Sequence, residues 1–302
     1  MSPESSTGSN KGSAGIYEAF RHAIRAEEPV ALATIIDGPD AGAVSDVRPQ
    51  AGAVSDVRPQ AGAVSDVRPQ AGAKLLVRPD APALGTLGDA DLDRVVERDA
   101  LGMLDAGISE VRHYGQHGEA RQMDVSVFVE CHARRPHMVI FGAVDFTRAL
   151  ASQAKLLGYR VTVCDAREVF ATKRRFPMAD EVVVDWPNRL LDRIGDDLGP
   201  RDAVCVLTHD HKFDVPAIVG ALPTRVGYLG AMGSRTTHEK RTERLREAGV
   251  TDSELERVMA PIGLDIGGRT PEETAVSIVA EIIASHTGRQ APRLKDGQGR
   301  IH

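Results

Sequence analysis

Aromatic residues are scarce in this chain: Phe, Trp and Tyr make up 4% of its 302 residues, with a single Trp. Its cores must therefore be mostly aliphatic. Cysteine is scarcer still. Cys131, Cys164 and Cys205 show no CxxC or CxH spacing, and an odd, sparse set points to reduced thiols in the cytoplasm rather than a disulfide framework. No apolar run approaches the roughly 18 residues that suggest a membrane span. The leading MSPESSTGSNKGSAG has no apolar stretch to serve as a signal peptide. Basic residues are in the minority, 37 Lys and Arg against 43 Asp and Glu for a net charge of −6. That balance argues against a nucleic-acid partner, which selects a basic face.

What is present begins with a repeat. AGAVSDVRPQ occurs three times unchanged at 41–50, 51–60 and 61–70, and an altered copy, AGAKLLVRPD, follows at 71–80. Each unit holds two valines and a Pro, too little apolar surface for a packed layer and a break in any strand ladder. Solenoid units run to about 20 residues or more, so 41–70 reads as a duplicated loop. In the altered copy Leu75, Leu76 and Val77 form a strand.

The remaining pattern divides into two domains and their tails. Residues 1–14 read as a disordered leader and 15–132 as a smaller N-terminal α+β domain. Residues 136–288 read as a C-terminal Rossmann-like parallel sheet and 289–302 as a tail, an α/β protein as a whole. In the first domain Ile16, Phe20 and Ile24 lie four apart on one helical face, Val30 to Ile36 is a buried strand, and Leu92, Val95, Val96 and Leu104 mark a second helix. Two strands follow, Glu110 to Tyr114 and Met123 to Glu130, and CHARRP (131–136) reads as a linker. Beyond it strands at 137–141, 160–164, 181–185, 202–207 and 225–229 alternate with helical patterns at 146–157, from near 237, and at 271–286. Such alternation implies a parallel sheet covered on both faces. Thr270, Pro271 and Glu273 open the last helix as a capping box, and Val276, Val279, Ala280 and Ile283 are its expected buried stripe.

Four turns at strand ends carry polar chemistry. VIFGAVDFTRAL places Gly142, Ala143 and Val144 where a dinucleotide turn has GxGxxG, and Asp165, 23 residues after Gly142, stands near the spacing of a ribose-binding acid. Val144 replaces the second glycine and would obstruct the pyrophosphate, so NAD(P) binding and a purely structural turn both remain open. YLGAMGSRTTHEK gives Gly230 and Gly233 before a helix that Ser234 or Thr236 can cap. With Arg235 this makes an anion site at a helix start, a phosphate site if occupied and a plain capped turn if not. VLTHDHKFD carries Thr208, His209, His211 and Asp214 at a strand end. An extended His-x-His would turn both rings the same way, suiting a polar ligand loop; no fourth metal ligand is in view, and no metal site is assigned. APIGLDIGGRTPEET sets Gly263, Gly267 and Gly268 beside Arg269, a second phosphate clamp or a loop ahead of a cap. No residue has the setting of a nucleophile or general base, so no catalytic residue is assigned. Cys164 and Cys205 lie on apolar strands and read as packing residues.

Taken in order, ALATIID…GAKLLVRPD, FPMADEVVVD, THDHKFD, YLGAMGSR and PIGLDIGGRTPEETAVSIVAEI resemble the XdhC/CoxI family of molybdenum-hydroxylase accessory proteins, from about Ala31 to Ile283. The resemblance implies a small N-terminal domain and a C-terminal Rossmann domain. It implies binding of molybdenum cofactor (molybdopterin), protection during sulfuration and delivery to a xanthine dehydrogenase- or CO dehydrogenase-type molybdenum hydroxylase. Such a protein is a cofactor chaperone more than a turnover enzyme; a homodimer is a further expectation. The chain departs from the family at four segments: Gly142 to Phe146 replaces GAGHV, DGPD with the repeats replaces GSxPR, Leu87 to Asp93 replaces LGGGxLE, and Gln122-Met123-Asp124 replaces CGG. These departures make it a divergent member. Two rivals stay open, an NAD(P)-dependent oxidoreductase and a non-catalytic partner protein whose ligand site has decayed.

Overall fold

The computed structural model describes residues 9–38, 69–120 and 122–296. It divides the chain into two compact units, Met1–Arg134 and Arg135–His302. The expected leader lies outside the described residues up to position 8, as does 41–68 of the repeat.

In the first unit α1 (Ser9–Arg25) is followed by β1 (Val30–Asp37), β2 (Lys74–Arg78), β3 (Ala81–Thr86), α2 (Ala90–Ala106), β4 (Glu110–Tyr114) and β5 (Val125–His132). The strands form an antiparallel sheet in the order β3-β2-β1-β5-β4. Successive side chains on a strand face opposite ways, and here both faces are covered. Ala31, Ala33 and Ile35 of β1 join Leu75 and Val77 of β2 and the valines of β5 under Leu92, Val96 and Met103 of α2. Val30, Leu32 and Leu76 meet Ile16, Phe20 and Ala23 of α1 on the other face. Two-sided burial explains why β1 is a continuous apolar run rather than an alternating one. Ile24, expected beside Phe20, is 37% exposed, because the helix turns Ala23 inward instead.

The second unit contains β6 (His137–Phe141), α3 (Asp145–Leu156), β7 (Arg160–Cys164), β8 (Glu181–Val183), α4 (Pro187–Ile194), β9 (Ala203–Val206), α5 (His211–Ala221), β10 (Tyr228–Ala231), α6 (Arg235–Glu247), α7 (Asp252–Leu255), β11 (Val258–Met259) and α8 (Pro271–Thr287). All six strands are parallel, in the order β11-β10-β9-β6-β7-β8. Counted from β6 this is the doubly wound 3-2-1-4-5-6 arrangement, whose strand order reverses between β6 and β9 and places a crevice at the carboxyl ends there. Helices α3 and α8 pack on one face through Leu150, Ala154, Ile278 and Ile282. Helices α4, α5 and α6 pack on the other through Leu190, Leu191, Ile218 and Leu245.

The capping box of α8 is present as expected: Thr270 accepts from the Glu273 backbone N–H, and the Glu273 carboxylate accepts from that of Thr270. Its expected buried stripe holds only at Val279, with Ala280 half-buried. Ala275, Ile278, Val279 and Ile282 face the core, whereas Val276 and Ile283 are 44% and 48% exposed. The helix is apolar around much of its circumference, so periodicity alone does not fix the inward face. The strand expected at 225–229 begins at Tyr228. Gly227 sits against the Pro200 carbonyl, where no side chain fits, and the chain enters the sheet only after it.

Candidate functional site

The turn after β6 has Gly142 at φ +109°. A Cβ there would lie 2.7 Å from Thr208 Cγ2, so glycine brings the turns after β6 and β9 together at the switch point. Thr147 donates its hydroxyl to the Gly142 carbonyl. The Ala143 N–H donates to Asp165 Oδ2 at 2.8 Å. Arg167 donates to the same carboxylate through its backbone N–H (2.9 Å), Nε (2.9 Å) and Nη2 (2.7 Å). Burial on its own would raise the Asp165 pKa; the hydrogen bonds from Arg167 and Ala143 outweigh it and hold the carboxyl below the usual range. The acid expected to face a ribose is therefore engaged by four protein donors and closes the turn. Val144 takes the N-cap position of α3 with no side-chain cap bond.

The turn after β9 is organised by a buried ion pair. Thr208 donates to Asp214 Oδ1. Arg241 donates to Asp214 Oδ2 through Nε (3.1 Å) and Nη2 (2.8 Å), and through Nη2 to the Met232 carbonyl at 2.6 Å. The side chains of Arg241 and Asp214 are 3% and 4% exposed. Burial lifts the Asp214 carboxyl above its ordinary range, opposed by the hydrogen bonds from Thr208 and Arg241. Arg241 Nη1 is buried with no hydrogen-bond partner among the described residues, a state that costs roughly 1–3 kcal/mol for a polar group. The residue between the two histidines is extended as expected, Asp210 having φ −113° and ψ 117°. Asp210 caps α5, accepting from the Lys212 N–H at 3.0 Å, and His211 is the first residue of the helix. Among the described residues no group of three or more His, Cys, Asp or Glu is placed to hold a metal ion.

At the end of β10, Gly230 makes room for packing: a Cβ would lie 2.5 Å from Ile262 Cδ1. Gly233 has φ +149°, and its missing side chain lets the turn run against Thr237 and Arg241. Ser234, rather than Thr236, caps α6 by accepting from the Thr237 N–H at 3.2 Å. Before α8 the expected phosphate clamp already holds an anion of the chain itself. The Glu273 carboxylate accepts from the N–H groups of Arg269 and Thr270 at 2.7 and 3.0 Å. Gly263 donates to Glu281 at 2.8 Å and packs on Ser277.

Two cavities open at the ends of β9 and β10. One, of about 180 Å³, is lined by His209, His211, Asp214, Ser234, Thr236, Thr237, Lys240, Arg241 and Arg244. The other, of about 360 Å³, is lined by Phe146, His209, Met232, Gly233, Ser234, Pro261, Ile262 and Thr274. His209 and Ser234 belong to both. Of the sequence candidates, the structure brings His209, His211, Asp214, Gly233, Ser234 and Thr236 together. Gly142, Ala143, Val144, Asp165, Thr208, Gly230, Arg235, Gly263 and Gly267 line neither cavity. Sequence reasoning missed Lys240, Arg241 and Arg244. With Thr237 they recur at three- and four-residue steps along α6, which puts them on one helical face; that spacing was the available signal. None of the cysteines offers a thiolate, since burial pushes the thiols of Cys131 and Cys164 up to about 11 and 12 and raises that of Cys205.

Two family profiles match the chain. The XdhC Rossmann domain covers residues 138–282, and the XdhC and CoxI family covers residues 63–115. Among curated relatives, the Uncharacterized protein YqeB of Escherichia coli is 30% identical over 66% of this chain and 38% of its own length. A Bacillus subtilis protein named as a probable xanthine dehydrogenase subunit is 34% identical over 52% of this chain and 45% of its own length. The Molybdenum cofactor insertion chaperone PaoD of Escherichia coli is 35% identical over 48% of this chain and 38% of its own length. The chain thus spans less than half the length of these relatives. Among the described residues no helix is long and apolar enough to cross a membrane. With its parallel-sheet unit matched by one profile and part of its antiparallel-sheet unit by the other, the chain belongs to the XdhC/CoxI family.

Proposed function

We propose that this chain is an accessory protein that binds molybdenum cofactor as cargo and assists its maturation or insertion into a molybdenum hydroxylase of the xanthine dehydrogenase or CO dehydrogenase type. The observation that carries this reading is the pair of neighbouring cavities that share His209 and Ser234 in their walls. One is lined by three cationic side chains, Lys240, Arg241 and Arg244. The other offers Phe146, Met232, Pro261 and Ile262. A flat heterocycle with an anionic tail is the ligand chemistry such a pair suits, apolar walls for the ring and cations for the tail. The relatives bearing xanthine dehydrogenase and cofactor-insertion names support the same cargo and client.

The test is transfer. Under anaerobic conditions the protein is loaded with purified molybdenum cofactor and mixed with a cofactor-free molybdenum hydroxylase. Enzyme activity should recover faster than with free cofactor at equal concentration, and no acceleration would refute the reading. Recovery of the client in a pull-down without any cofactor binding would instead favour a partner protein with a decayed site. The NAD(P) reading keeps the doubly wound strand order in its favour, but Asp165, its ribose-binding candidate, is engaged inside the turn by Ala143 and Arg167.

A further inference from the structure

We infer that the smaller cavity is a seat for a phosphate dianion, held by one face of α6. The inference deepens the cargo reading by naming the group recognised, and it rests on that reading's cationic cavity.

Charge on the cavity wall decides the ligand class. Arg241 is neutralised by Asp214, with which it forms a buried two-contact ion pair. Lys240 and Arg244 also line the cavity, and neither forms an ion pair among the described residues. The wall therefore carries two positive charges with no ion-pair partner among the described residues. It adds the hydroxyls of Ser234, Thr236 and Thr237 and the start of a 13-residue helix, where the dipole and backbone N–H groups favour an anion.

The second, independent observation is Arg241 Nη1. Its side chain is 3% exposed, it lines the cavity, and Nη1 has no hydrogen-bond partner among the described residues. A guanidinium donor kept dry and unpaired beside a cationic cavity calls for an acceptor from outside the chain. A phosphate monoester, with two charges and only acceptor oxygens, matches the charge and the donor set together. Asp214 does not oppose it: its two oxygens are taken by Thr208 and Arg241, so it serves to aim the guanidinium and is a positioning residue.

The probe is inorganic phosphate, titrated calorimetrically into the full-length protein at constant ionic strength, with pyrophosphate as a second ligand. Wild type should bind with one site per chain. The double variant Lys240→Gln, Arg244→Gln changes two exposed residues and should weaken phosphate binding at least about tenfold at an unchanged melting temperature. Arg148→Gln, an exposed cation on α3, should leave the affinity as it is. Absence of phosphate binding by wild type, or equal binding by wild type and the double variant, overturns the inference. Phosphate binding that is lost in the double variant supports the seat even where the cofactor transfer experiment fails. Cofactor binding that the double variant retains in full overturns the seat while the cargo reading survives.

Discussion

Removing the Asp165 carboxylate separates a structural turn from a nucleotide site. In Asp165→Ala the Ala143 N–H, which belongs to a residue 2% exposed, loses the acceptor it holds at 2.8 Å. Leaving that donor buried and unpaired costs roughly 1–3 kcal/mol. Arg167 also loses its partner, but its side chain is 43% exposed and can be hydrated, so the broken pair adds only about 0–1 kcal/mol. The expected loss is therefore on the order of 1–4 kcal/mol, read as a lower urea midpoint at unchanged m-value. Asp165→Asn keeps one acceptor oxygen and should lose less. The pH dependence has a defined sign. Because the folded pKa lies below the ordinary aspartate value of 3.8, the carboxylate's contribution is fully present above about pH 4 to 5 and is lost as pH falls through the folded pKa. The stability gap between wild type and Asp165→Asn should hold from pH 7 to pH 5 and narrow towards pH 3. A variant as stable as wild type that had lost binding of NADH would refute this account and restore the ribose role.

Three further outcomes follow from the same geometry. Neither wild type nor Val144→Gly should bind NADH in a fluorescence titration, since Asp165 stays engaged by Ala143 and Arg167 in both; binding by Val144→Gly would reopen the dinucleotide reading. Thr270→Ala, which removes the capping hydroxyl at 3.2 Å from the Glu273 N–H, should cost about 1 kcal/mol and lower the melting temperature measurably. Deleting 41–70 should leave the melting temperature equal or higher. Strands β1 and β2 are antiparallel neighbours, and a Cβ on Gly38 would lie 3.8 Å from the Pro69 carbonyl oxygen, so the ends of the intervening segment already meet. Shortening that loop about sixfold relieves closure entropy of roughly 1.5 kcal/mol at about 0.6 kcal/mol per doubling; a large fall in melting temperature would show that the repeat packs.

Much of the fold is written in local pattern. The strands at 110–114, 137–141 and 160–164 occupy the expected residues because each is a compact run bounded by turn residues. Other elements carry no such signal. β3 contains Pro82 and Gly85 and lies at a sheet edge, mostly exposed, so tertiary pairing rather than propensity makes it a strand. β11 is two residues long. α5 starts at His211 with Asp210 as its cap, a helix start that the strand-end histidines did not signal. The site was legible in part for a related reason. Glycines at strand ends mark turns, but Gly230 and Gly263 serve packing against Ile262 and Ser277. The charges that define the smaller cavity sit about two to three helical turns beyond the cap, at Lys240, Arg241 and Arg244. Arg235, next to the glycines in sequence, is exposed and outside both cavities.

Ser234 lines both cavities and caps α6, so a charge placed there addresses both at once. Asp is as good an N-cap as Ser, and Ser234→Asp should fold with the wild-type melting temperature while presenting a carboxylate to the bound anion. The decisive measurement is an anaerobic equilibrium titration of purified molybdenum cofactor into both proteins. The account predicts saturable binding by wild type and at least about tenfold weaker binding by Ser234→Asp, since like charges in a confined site repel by more than about 1.4 kcal/mol. No binding by wild type, or equal affinity for both proteins, would contradict it.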